Sequence, residues 1–204
     1  MPSAFRADLF METISALISF SVAYFAMKAY KLTQSKSLMH LYFGFSVLGA
    51  GMITRVIASS YIALLLKDFD PRVRALIFTI SIIYGLMRTI AYILFTLAYV
   101  ERARSKVEGE LATAVIPPII MNPYFEFIQM TLLIYVAAQS AMNFIESRGL
   151  NSLLIFAGFT LLLISHITFM FSVMIHQMYI IGHFIQLIGF FCMLLMLIRV
   201  GRGK

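Results

Sequence analysis

The chain has 204 residues, of which 61% are hydrophobic and only 12% charged, and its mean hydropathy is +0.92. A water-soluble core cannot absorb that much apolar surface, so a soluble globular domain is excluded. The formal net charge of +7 does not point to nucleic acid either, because the Lys and Arg residues fall mostly between apolar runs, where cations meet lipid headgroups.

In chain order, apolar runs predict spans at 9–30, 38–66, 74–100, 124–145, 151–173 and 177–199, each near the ~20 residues a helix needs to cross a bilayer. The first begins beside Asp8 and Glu12 with no small-residue cleavage pattern behind it, and is read as a retained helix. KLTQSKS separates it from the second, in which GFSVLGAGM, from Gly44 to Met52, allows close helix approach. KDFDPR, with Pro71 as a breaker, leads to the third. A longer link from Glu101 to Pro123 follows; its AVIPPIIMNP stretch breaks helical pairing at Pro117, Pro118 and Pro123. ESRGL and a tight hairpin at Met174 to Gln177 divide the last three spans.

The link reads as a seam between two halves. Residues 12–54 align without a gap on 126–168, a constant displacement of 114 (126 − 12), which sets Glu12 on Glu126, Gly44 on Gly158, Phe45 on Phe159 and Leu48 on Leu162. The expected architecture is all-α and integral to the membrane: a first three-helix repeat at 1–110, a proline-rich seam at 111–123 and a second repeat at 124–204. With an odd number of helices per unit the second copy must enter the membrane from the opposite side, so the repeats are expected to be inverted, as in many transporters and channels. Both termini then share one side, whose Lys and Arg residues outnumber those opposite by eight to six, a lean toward cytoplasmic termini in a multi-pass protein of the cell membrane.

Ionisable residues inside spans are costly and mark function or helix registration. Arg55 and Arg88 lie well inside their helices, with Tyr84, Arg88 and Tyr92 on one stripe. Depth along the helices predicts the pairs Glu12–Arg55 and Glu126–Arg88. His40, His166, His176 and His183 are all expected in the half of the membrane away from the termini. His166 and His183 flank the last hairpin symmetrically, and Gln186, one turn beyond His183, is placed to orient it.

Three roles compete for that histidine pair. As ligands of a b-type haem they would make a membrane electron-transfer protein, although helices joined by a tight hairpin pack only about 8–10 Å apart and leave little room for the ring. With Met170, Met174 and His176, His166 offers thioether and imidazole donors that suit monovalent copper. Otherwise the histidines hydrogen-bond between helices and the methionines pack as apolar side chains. Cys192, the single cysteine, can make neither an intrachain disulfide nor a zinc-thiolate site.

No GxSxG elbow, phosphate-binding glycine loop, HExxH motif or intramembrane Asp pair occurs. The chain therefore reads as non-enzymatic: a small transport or channel unit, or a membrane subunit of a larger complex. Its expected partners are lipids and other membrane subunits or further copies of itself. The pattern GF..LG.GM..R from Gly44 to Arg55, with GH..QL.GF..ML..L.RV from Gly182 to Val200, resembles six- or seven-helix archaeal membrane proteins of unassigned function and the membrane modules that precede sensor kinases. That resemblance implies no catalytic residue.

Overall fold

A computed structural model describes residues 3–65, 71–104, 122–172, 175 and 177–202. They form six helices: α1 (Ser3–Thr33), α2 (Lys36–Leu65), α3 (Pro71–Arg104), α4 (Asn122–Ser147), α5 (Leu150–Phe171) and α6 (Gln177–Arg202). All six are long and apolar enough to cross a membrane, and the chain is a multi-pass membrane protein. Its side chains are arranged accordingly. Phe10, Leu17, Tyr24, Ile57, Phe127 and Ile145 face outward, while Asp8, Glu12, Ser15, Ser19, Arg88, Gln129, His166 and Gln186 are buried, the distribution expected where the solvent is hydrocarbon.

Pro71 opens α3, and Pro123 lies in the first turn of α4, where a missing backbone N–H costs nothing. The rest of the proline-rich seam, including Pro117 and Pro118, lies outside the described residues, as do Met174 and His176. The α1–α2 and α4–α5 turns have the same construction. Gln34 and Arg148 adopt left-handed backbone at φ 55° and 45°, and their amides bond Tyr30 O at 2.7 Å and Phe144 O at 2.8 Å. A single left-handed residue ends each helix and the next starts two positions later.

Each helix packs on its two neighbours in a closed ring, α1 to α6 in order and α6 back on α1. Contacts fix the direction of every helix. Ser37 Oγ, at the start of α2, donates to Ala98 O near the end of α3, and Asp8, at the start of α1, meets Arg55 on the far part of α2. Asp8 also meets Tyr179 and His183 at the start of α6, so α6 runs parallel to α1. On α5, His166 touches Tyr92 and Phe159 lies against Tyr99, so α5 is antiparallel to α3. It is also antiparallel to its hairpin partner α4, whose Glu126 bonds His166. Helices α3 and α4 are therefore parallel.

This overturns the expected inversion of the halves. An odd number of helices forces inversion only when the link stays on one side. Here Arg104, at the end of α3, and Asn122, at the start of α4, stand at opposite ends of the ring. Two further corrections follow. Helix α1 begins at one end of the ring and α6 finishes at the other, so the termini do not share a side. His166 and His183 lie at the Asp8 end, whereas His40, between the cavity-lining Leu38 and Leu41, lies at the opposite end.

A candidate ionic gate and the cavity opposite it

Near the Asp8 end, all six helices contribute to one polar network. Glu12 Oε2 accepts an ion pair from Arg55 Nη1 at 2.8 Å, and Arg55 Nη2 donates to Asp8 Oδ2 at 2.8 Å. Arg55 also contacts the Tyr179 hydroxyl, which donates to Asp8 Oδ2 at 2.9 Å. The other Asp8 oxygen faces His183 Nε2 at 3.0 Å. A second cluster surrounds Arg88, whose Nη1 lies 3.4 Å from Glu126 Oε1 and whose Nη2 lies 2.9 Å from His166 Nε2. His166 Nδ1 meets Glu126 Oε2 at 2.6 Å, and the Tyr92 hydroxyl meets Nε2 at 2.8 Å. Gln129 Nε2 holds Gly85 O and Thr89 Oγ1, both at 3.2 Å. The ring of Tyr84 joins the clusters, 5.3 Å from Arg55 Cζ and 5.0 Å from Arg88 Cζ, within cation–π range of both.

Arg88 Nη2 lies against both ring nitrogens of His166, 3.1 Å from Nδ1 and 2.9 Å from Nε2, so the imidazole is held between the guanidinium, the Tyr92 hydroxyl and Glu126.

Both predicted ion pairs, Glu12–Arg55 and Glu126–Arg88, are present. Sequence reasoning passed over Asp8 as a residue of the helix edge and did not select Tyr179, yet these two bind the first helix to the last. A carboxylate one turn before Glu12, spaced i, i+4, was the available signal. Gln186 is buried, but its Oε1 has no hydrogen-bond partner among the described residues, and nothing joins it to His183.

The residues present do not fit a haem. Both nitrogens of His166 are engaged, and Phe169 stands between the histidines, its centroid 6.1 Å from His166 and 4.8 Å from His183. The copper ladder does not assemble either: Met170 is exposed while His166 is fully buried, so the two side chains do not converge. Among the described residues, no three His, Cys, Asp or Glu side chains could hold a metal ion together.

Beyond the network, toward the other end, lies an apolar plug of Leu48, Met52, Phe95, Leu133, Leu162 and Phe190, all fully buried. Phe95 packs on Phe45 at 4.5 Å, Phe159 at 5.6 Å and Tyr92 at 6.0 Å. Above the plug is a cavity of about 440 Å³, reaching the helix ends at Leu32, Ser37, Arg102 and Val200. Along the ring axis the order is thus cavity, aromatic plug, ionic network.

Residues 9–95 match a family of unknown function (DUF7521), a stretch that takes in α1, α2 and most of α3 with Glu12, Arg55, Tyr84, Arg88 and Tyr92. No curated protein and no solved structure matches the chain. By comparison, then, the first half of the ring is similar to proteins of unassigned function, and nothing points to the membrane modules of sensor kinases.

Proposed function

We propose that the protein is a non-enzymatic membrane transport unit in which the ionic network is a gate, drawn in the state open toward the cavity. The observation that carries this reading is that every helix of the ring contributes to one buried charge cluster at one end only. Intramembrane ionisable groups mark ion and proton pathways, and a seal built from every helix is released by any motion of one half against the other. The network also lacks one positive charge. Asp8, Glu12 and Glu126 face Arg55 and Arg88, three carboxylates against two guanidiniums, so one further proton balances the cluster. The Asp8–His183 pair, with Glu12, Arg55 and Tyr179 around it, is its natural seat. Glu126, 25% exposed, offers entry from outside.

In this reading the chain is an internal duplication with parallel halves, related by an axis along the membrane normal, an arrangement found among secondary transporters. Three correspondences support it. Glu12 falls on Glu126, and the left-handed Gln34 falls on Arg148 at the same displacement of 114. In addition, the buried set Tyr84, Gly85, Arg88, Ala91, Tyr92 and Phe95 of α3 recurs on α6 as Gly182, His183, Gln186, Gly189, Phe190 and Met193.

Orientation follows from the same topology. Lys28, Lys31, Lys36, Arg102, Arg104, Arg148, Arg199 and Arg202 sit at the cavity end of their helices, against Arg6, Arg72 and Arg74 at the gate end. The cavity end is therefore the cytoplasmic side, with α1 starting outside.

The test is proton flux in liposomes carrying an internal pH indicator under an imposed potential. Wild type should dissipate the potential-driven gradient at least ten-fold faster than E126Q or D8N. Wild type indistinguishable from empty liposomes overturns the reading and leaves a subunit of a larger complex.

A further inference from the structure

The cavity opposite the gate has a chemistry of its own. Its walls come from α1, α2, α3, α5 and α6 and are apolar throughout their depth, with Phe25, Leu41, Phe45, Ile155, Phe159 and Met193 among them. Cationic side chains enter only near the helix ends, where Lys28 of α1 and Arg102 of α3 line the mouth. No acidic side chain lines it among the described residues. Its volume of about 440 Å³ lies within the range of built ligand sites, roughly 300–1,000 Å³. A space of this order accommodates a long hydrocarbon chain.

We propose that this cavity binds a single-chain anionic amphiphile, its hydrocarbon tail against the plug and its carboxylate or phosphate head between Lys28 and Arg102. Depth supplies the tail's affinity through burial of apolar surface, and the mouth selects the sign of the head by charge. A neutral head forgoes the charge-assisted bonds, and a cationic head meets the like charge of Lys28. The occupant can come from the free fatty-acid pool or from a single-chain phospholipid; both present the same anion on one tail.

Binding is read in neutral detergent with the full chain, independently of any flux, so failure here leaves the transport reading standing and the converse also holds. The probes are hexadecanoate, monohexadecyl phosphate, hexadecanol and hexadecyltrimethylammonium, titrated by competition against a fluorescent hexadecanoate analogue. The two anions should bind one per chain, at least ten-fold tighter than hexadecanol, with the cation weaker still. K28Q, at an exposed position, should lower anion affinity about five-fold or more and leave hexadecanol unchanged. A29F, which fills the cavity, should abolish all binding at the site. Equal affinity for hexadecanol and hexadecanoate, binding undiminished in A29F, or no saturable binding would each overturn the proposal. Mass spectrometry of ligand retained through purification separates the sources, a fatty acid by its mass and a lysophospholipid by its headgroup; a two-chain lipid in that position would also overturn the proposal.

Discussion

His183 Nε2 stands 3.0 Å from Asp8 Oδ1, and this contact brings the last helix of the ring against the first. Removing the Asp8 carboxylate takes away the anion that faces His183, Tyr179 and Arg55 and leaves Glu12 as the carboxylate at Arg55. D8A should cost about 3–5 kcal/mol, the range for breaking a buried pair, and D8N appreciably less, because it keeps an acceptor for the tyrosine hydroxyl. Thermal unfolding in detergent measures the difference. Equal Tm values for D8A and wild type would show that the pair contributes nothing to closing the ring.

Arg88 connects the two halves through Glu126 and His166. R88Q and E126Q should each destabilise, while the double variant should lose less than the two single losses combined. The coupling expected for directly bonded partners is about 0.5–3 kcal/mol. A strictly additive result would mean that the pair is separated by solvent in the membrane.

The helix directions can be read by labelling. In a C192S background, single cysteines at Ser35 and Gly149 should react with a membrane-impermeant maleimide from one side, the cytoplasm, and one at Ile175 from the other. Inverted halves would place Ser35 and Gly149 on opposite faces, so a split result decides against the parallel arrangement.

Glycines test the packing. A Cβ on Gly158 would stand 2.9 Å from Met193 Cγ and 3.1 Å from Gly189 O; the methionine can yield but the carbonyl belongs to a packed helix. G158A should therefore cost about 1–3 kcal/mol by overpacking. At Gly49 the near neighbour is the ring of the half-exposed Phe20 at 3.1 Å, free to turn into lipid, so G49A should be close to neutral in the same unfolding measurement.

The six spans were legible because bilayer thickness imposes a length on each apolar run. The two arginine–glutamate pairs were legible because depth along a helix is countable. The direction of α4 was not, because an apolar run carries a length but no direction. The cations held the missing signal. With inverted halves they divide eight to six, whereas with parallel halves they gather at one end, and the positive-inside preference distinguishes the two. The network's outer members escaped for another reason. Asp8 and Tyr179 sit at helix edges, where a polar residue is ordinary in sequence, and only ring closure brings them beneath Arg55.

The two guanidinium groups in the network both come from the first three helices, while Glu126, His166 and His183 come from the last three. Expressed alone, the C-terminal half would carry an acid and two imidazoles into the bilayer with no arginine to answer them. The N-terminal half would hold Arg88 with its carboxylate and imidazole partners gone. Two halves so mismatched in charge are mutually dependent. A homodimer of either could not rebuild the network, and carrying both on one chain fixes a stoichiometry that free subunits would have to find by collision.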